Sequence, residues 1–161
     1  MLSKQIQEKI KESVENNKEE MIKFLSDLIK IPSINGSGKD GELVAQQFLA
    51  KKLKDMNLKV DIFEPDVDEL KKHPAFEMSR KMDEYGLEFK DRPMVVGIYE
   101  GREKSRSLLF NGHMDVMPPG PEKLWDFDPF SGEIKNNFIL GRGAADMKGG
   151  IANQTFALKA L

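Results

Sequence analysis

Residues 108–115 read Leu-Leu-Phe-Asn-Gly-His-Met-Asp, and residues 139–150 read Ile-Leu-Gly-Arg-Gly-Ala-Ala-Asp-Met-Lys-Gly-Gly. Each stretch is an apolar run that gives way to glycine and then to a side chain of metal-ligating type. That is how α/β folds build sites, with the chemistry carried just beyond the C-terminal ends of strands. The run 107–110 is apolar at its centre without alternation, as expected of a strand covered on both faces.

Working outward from these two stretches, helices and strands interleave. Ile6, Ile10 and Val14 recur at helical spacing, and a second stripe of Met21, Leu25 and Leu28 runs on towards Pro32. Residues 33–41 are a loop by composition. An amphipathic helix follows, with Ala45, Leu49, Leu53 and Met56 on one face, and Asn57 ends it. Residues 58–63 alternate as a strand, 94–99 reads as another, and 132–140 reads as a hairpin around Asn136-Asn137. A helix is expected over 67–82 and another over 147–161. The fold class expected is therefore α/β, with a central mixed β-sheet flanked by helices.

Composition narrows the chemistry. The chain has 161 residues, no Cys and two His, so any metal must sit among imidazole and carboxylates and no disulfide can form. The net charge of −2 gives no reason to expect nucleic acid as a partner. The first thirty residues alternate charge with apolar side chains, which predicts neither a signal peptide nor a membrane span and makes the cytoplasm the expected location. His73 precedes Pro74 in a charged segment and reads as a solvent-exposed ring, not a ligand.

His113 is a candidate metal ligand, since imidazole suits zinc and similar ions. Gly112 removes a side chain beside it and lets another group approach closely. Asp115, two positions on, falls on the same side of an extended chain. That spacing suits a carboxylate that accepts the other ring N–H and orients the imidazole. Taken alone, His-x-Asp is a common tripeptide, and an ordinary turn ahead of Pro118 accounts for it equally well. Asp146 has two readings as well: a helix N-cap, or a carboxylate bridging two metal ions. Gly149 and Gly150 are poor helix formers, so the backbone there is expected to lie close to something. Gly141-x-Gly143-x-x-Asp146 imitates a dinucleotide fingerprint, but Asp would place negative charge where pyrophosphate lies, and that reading is rejected.

Residues 108–118, the block Trp125-Asp126-Phe127-Asp128-Pro129-Phe130, and residues 141–150 occur in this order. Together they strongly resemble the M20 family of metallopeptidases and deacylases, which includes acetylornithine deacetylase and succinyl-diaminopimelate desuccinylase. The resemblance implies the N-terminal portion of a zinc-peptidase-like catalytic domain over residues 1–161, without its C-terminal part or its lid and dimerisation domain. It implies His113 as the terminal ligand of one zinc, Asp146 as the carboxylate bridging two, and Asp115 as the catalytic-site carboxylate orienting His113. It also implies a cis peptide bond at Asp146–Met147. The cofactor implied is zinc, two ions per complete site, with cobalt or manganese as alternatives. The substrate implied is a small N-acyl amino acid or similar amide, hydrolysed by a parent that dimerises through its further domain, with no nucleic-acid or membrane partner.

The family's adjacent Glu pair, a later Asp or Glu ligand and a final His have no counterpart here. Glu19-Glu20 is the one Glu pair, and it lies in the N-terminal helix. The isolated chain is therefore expected to bind zinc weakly and to show no turnover. The alternative is an inactive fragment or a module that needs a partner chain. An incomplete sheet is also expected to leave apolar faces or edges exposed.

Overall fold

The computed structural model describes residues 3–76, 89–101 and 106–160. Their architecture is mixed α/β. Helix α1 (Lys4–Asn16) opens on Ser3, whose Oγ accepts from the Ile6 N–H at 3.3 Å. Helix α2 (Lys18–Ile29) follows directly and buries Phe24, Leu28 and Ile29. Helix α3 (Glu42–Asp55) ends where Asn57 adopts a φ of 62°, a conformation Asn tolerates better than most residues. Strand β1 (Lys59–Phe63) then pairs antiparallel with β2 (Met94–Ile98), Lys59 opposite Ile98. Between them lies the short helix α4 (Val67–Lys71), capped by the Asp66 carboxylate. Strands β3 (Ile134–Lys135) and β4 (Phe138–Ile139) form the expected hairpin. Its turn residues Asn136 and Asn137 both have positive φ, 50° and 64°, as a two-residue type I′ connection requires. Helix α5 (Gly149–Lys159) closes the described chain.

The core lies where α2, α3 and α5 meet the segment around Met114. Phe24, Leu28, Ala45, Met114, Ile151, Ala152 and Phe156 are buried together there. Phe24 stacks on Phe48 at 5.2 Å between ring centres and meets Phe156 edge-on at 5.7 Å. Aromatic pairs in these arrangements add about 0.5–1.5 kcal/mol beyond area burial. The apolar stripes read in α2 and α3 are thus core faces, and α5 adds Ile151, Ala152 and Phe156 to them. The stripe of α1 is not: the helix buries no residue, and Ile6 and Val14 stay exposed.

Two expected elements differ in the structure. The helix expected over 67–82 ends at Lys71, because the chain must leave helical geometry ahead of Pro74; residues 77–88 lie outside the described ones. Residues 107–110 have no strand partner among the described residues, and Leu108 and Leu109 are 76% and 83% exposed. An apolar run becomes a strand only when a neighbouring edge accepts its backbone hydrogen bonds. Here an open groove of about 870 Å³ separates this segment from β2, with Leu53, Ile98, Leu109, Ile151 and Leu158 among its walls. The exposed apolar surface expected of an incomplete sheet is present at this place.

Glu20 ties the three core helices together at the surface, accepting from Lys52 of α3 and from Lys159 of α5. The hydrogen bond from Lys159 and then that from Lys52 hold its carboxyl pKa below 4.5. A carboxylate whose pKa is depressed by folding stabilises the fold above its unfolded value, and loses that contribution as pH falls through the folded value. Urea unfolding midpoints of the wild type should therefore drop as pH is lowered below 4.5. In Glu20→Gln that part of the drop should be missing.

Candidate metal centre

His113 and Asp115 owe their placement to the residues that alternate with them. Met114 and Val116 are buried, at 4% and 2% exposure, and anchor an extended segment against the helices. With a side-chain period of two, His113 and Asp115 then share the opposite, solvent-facing side. The loop after α2 fixes this segment from its flank. Ser33 Oγ donates to the Met114 carbonyl at 2.7 Å, the Val116 N–H donates to the Ser33 carbonyl at 2.8 Å, and the Asn35 N–H donates to the Val116 carbonyl at 3.0 Å. Ile34 and Val116 form a parallel bridge.

Asp146 arrives from the other stretch by a turn that only glycine permits. Gly143 has a φ of 79°, and a β-carbon there would lie 2.3 Å from Val116 Cγ1. The turn is thereby pressed against the segment that bears His113 and Asp115. A kinked turn over Ala144–Lys148 follows, in which Asp146 and Met147 are both non-helical, and the peptide bond between them is cis. The helix N-cap position falls to Lys148, so Asp146 is not the cap. Gly149 is needed for close approach, since a β-carbon would sit 2.5 Å from the Ala144 carbonyl oxygen. Gly112 lies close to the ends of the Ile151 and Met147 side chains, which a β-carbon would meet at 2.6 and 2.9 Å and push aside.

The turn is locked from below by Lys148. This side chain is fully buried, and its Nζ donates to the carbonyls of Leu28 at 2.9 Å and Ile31 at 2.7 Å. It thus adds a second donor to carbonyls at and just past the end of α2, each of which also accepts a backbone N–H, and a cation there is favoured by the helix dipole. Burial pushes its pKa down to about 8.

These elements bring His113 Nε2 within 3.1 Å of Asp146 Oδ1. On the other side of the ring, Nδ1 lies 3.0 Å from the Asp115 backbone carbonyl and 3.4 Å from the Asp115 carboxylate. Nδ1 faces Asp115 and Nε2 faces Asp146, and the partners on both sides are acceptors, an arrangement that favours a ring protonated on both nitrogens when no metal is bound. Burial of the ring opposes its charge, but the hydrogen bonds to the Asp115 carbonyl and the Asp146 carboxylate outweigh it. The imidazole pKa is held above 6.5. The Asp146 side chain is open to solvent, at 87% exposure. Beside it lies a small cavity of about 200 Å³ between Met117, Trp125 and the 141–146 turn. Arg142 stacks its guanidinium over Trp125 at 5.1 Å there.

The donor pair fits a zinc-type ion. Tetrahedral zinc with bonds of 2.0–2.2 Å places neighbouring ligand atoms about 3.3 Å apart, close to the observed 3.1 Å. Asp115 is turned to the far ring nitrogen, and among the described residues no group of three or more His, Cys, Asp or Glu is arranged to hold a metal. His73 is exposed and takes part in a local turn, its Nδ1 accepting from the Ala75 N–H. Asn35, Ser33 and Lys148 were not singled out by the sequence. The first two lie in what reads only as a loop, and a buried lysine leaves no compositional trace.

Residues 109–161, which carry His113, Asp115 and Asp146, match the model of peptidase family M20/M25/M40. A metallohydrolase of Methanococcus maripaludis is 34% identical over 142 residues, 88% of this chain and 31% of the relative. The succinyl-diaminopimelate desuccinylase of Methylocella silvestris is 60% identical over 47 residues, 29% of this chain and 12% of the relative. That of Blochmanniella floridana is 50% identical over 58 residues, 36% of this chain and 15% of the relative. The chain thus spans less than a third of the length of each of these relatives. Among the described residues no helix is long and apolar enough to cross a membrane. Over residues 109–161, which hold both candidate ligands, the chain is similar to peptidase family M20/M25/M40.

Proposed function

We propose that this chain supplies the first part of the metal centre of a hydrolase that cleaves amide bonds in small N-acyl amino acids. The observation that carries the reading is the 3.1 Å approach of His113 Nε2 to Asp146 Oδ1 with Nδ1 engaged behind it. His113 and Asp146 would hold a divalent ion, zinc or alternatively cobalt or manganese, and Asp146 has a second, solvent-facing oxygen free to reach another. Such ions, when bound, supply Lewis-acid polarisation of the scissile carbonyl and lower the pKa of water. Asp115 keeps the His113 ring in the tautomer that leaves Nε2 available. The N-succinyl amino-acid chemistry in the desuccinylases' name makes N-succinyl and N-acetyl amino acids the substrates to try first.

Two donors are half of a four-coordinate set. Four-ligand structural zinc sites bind with about 10–16 kcal/mol, so about half that, 5–8 kcal/mol, is expected here. That corresponds to a dissociation constant of roughly 1–100 μM. Zinc added to the chain should shift the His113 ring resonances in NMR with this affinity, and His113→Ala should abolish saturable binding. No shift at His113 up to millimolar zinc would sink the metal-centre reading. The 161-residue chain alone should not hydrolyse N-acyl amino acids, because no general base stands beside the pair among its described residues.

A further inference from the structure

The loop after α2 reaches the Asp115 carboxylate through the side chain of Asn35. Asn35 Nδ2 donates to Asp115 Oδ2 at 2.8 Å. The acceptor is a carboxylate, so the amide nitrogen must face it. Asp115 in turn meets the His113 ring through its backbone carbonyl and its other carboxylate oxygen. We propose that Asn35 is a positioning residue: it holds the Asp115 carboxylate and through it sets the His113 ring for metal. This rests on the reading of His113 as a ligand.

The loop is built to place Asn35. Glu42, only 6% exposed, accepts from the N–H groups of Gly36 and Gly38 at 2.9 and 3.1 Å through one oxygen. Its other oxygen accepts from Arg92 Nε at 2.9 Å. Gly41 allows the loop to fold back on itself, since a β-carbon there would lie 2.4 Å from the Pro32 carbonyl oxygen. On the far side, Ser33 and the backbone of Asn35 bind Met114 and Val116. Asn35 is therefore held from both ends while its side chain stays at the surface. A loop fixed only for folding has no need of an amide aimed at the carboxylate behind a ligand. Partners that orient a metal ligand in this way change metal affinity about 10–100-fold when removed.

The test uses the whole chain and the substitution Asn35→Leu, which keeps the backbone bond to Val116 and removes only the side-chain donor. Two readouts are taken by NMR on metal-free and zinc-titrated protein. In the metal-free wild type the His113 Nδ1 proton should be protected from exchange, and in Asn35→Leu its exchange should quicken at least about tenfold. With zinc, the dissociation constant should rise at least about tenfold. The urea midpoint should stay unchanged, since Asn35 lies outside the core. In an Asp115→Asn background, Asn35→Leu should have no further effect on zinc affinity, because the carboxylate that transmits it is gone. Unchanged Nδ1 exchange in Asn35→Leu overturns the positioning role. So does an equal loss of affinity in both backgrounds. Faster Nδ1 exchange in a chain whose wild type binds no zinc leaves the positioning role standing and sinks the metal reading instead.

Discussion

In the hydrolase proposed for this chain, Asp146→Asn is expected to lower kcat/KM for N-acyl amino-acid hydrolysis by about 10³-fold while leaving the fold intact. The substitution is isosteric, and the Asp146 side chain is 87% exposed, so no packing is disturbed. What it removes is the negative charge beside His113 Nε2 and the capacity of a single carboxylate to reach two ions. Metal polarisation of a carbonyl contributes several kcal/mol to lowering the barrier, and about 4 kcal/mol is about 10³ in rate. Steady-state kinetics with added zinc, alongside a thermal melt, checks this. Activity within tenfold of wild type would mean that Asp146 is not a ligand, and the proposed centre would have to be abandoned. In the 161-residue chain the same variant should lose the zinc-dependent shift of the His113 ring.

The second large effect is structural. Lys148→Ala is expected to destabilise the chain by about 3–5 kcal/mol. Removing a buried four-carbon stem leaves a cavity of the kind that costs about 2–5 kcal/mol for a large aliphatic side chain. It also removes two charge-assisted hydrogen bonds, to the Leu28 and Ile31 carbonyls, each contributing about 1.5–3 kcal/mol, while each carbonyl keeps a backbone N–H. Relief from burying an ammonium offsets part of this, since burial already pushes the Lys148 pKa down to about 8. Lys148→Met, which keeps the stem, should cost only about 1–3 kcal/mol, chiefly through the two lost hydrogen bonds. Urea unfolding of the two variants separates the contributions. Equal stability of Lys148→Ala and wild type would show that the bonds to the end of α2 carry no weight. Because Lys148 also seats the turn that bears Asp146, zinc affinity should fall with Lys148→Met even at temperatures where the chain is folded.

The helices were legible because their signals are local. Periodic apolar residues in α2 and α3 mark the faces that meet around Phe24, and the Asn136-Asn137 pair marks a hairpin whatever surrounds it. The alternation of Met114 and Val116 with His113 and Asp115 is local too, so the side on which the candidate ligands lie follows from spacing. The run 107–110 was not decided locally. Its apolar residues permit a strand, but a strand exists only where another edge accepts its hydrogen bonds, and among the described residues none does. The end of α4 shows the opposite balance, since Pro74 overrode a charged helical pattern within a few residues.

The amino-acid sequence by itself determined the mixed α/β class, the residue types available to hold a metal and the two stretches that carry them. Glycines at 112 and 149 announced close approach, and the structure shows what each one approaches. Only the tertiary structure decided which nitrogen of His113 faces Asp146, that Asn35 stands behind Asp115, and that Lys148 is an interior cation holding the end of α2. The physical reason is range. Periodicity and turn chemistry act over a few residues and are written in the order of side chains. The hydrogen bond between Asn35 and Asp115 spans 80 positions and that between Lys148 and Leu28 spans 120. Such bonds form only once the core has brought separate segments within about 3 Å, a distance no local pattern encodes.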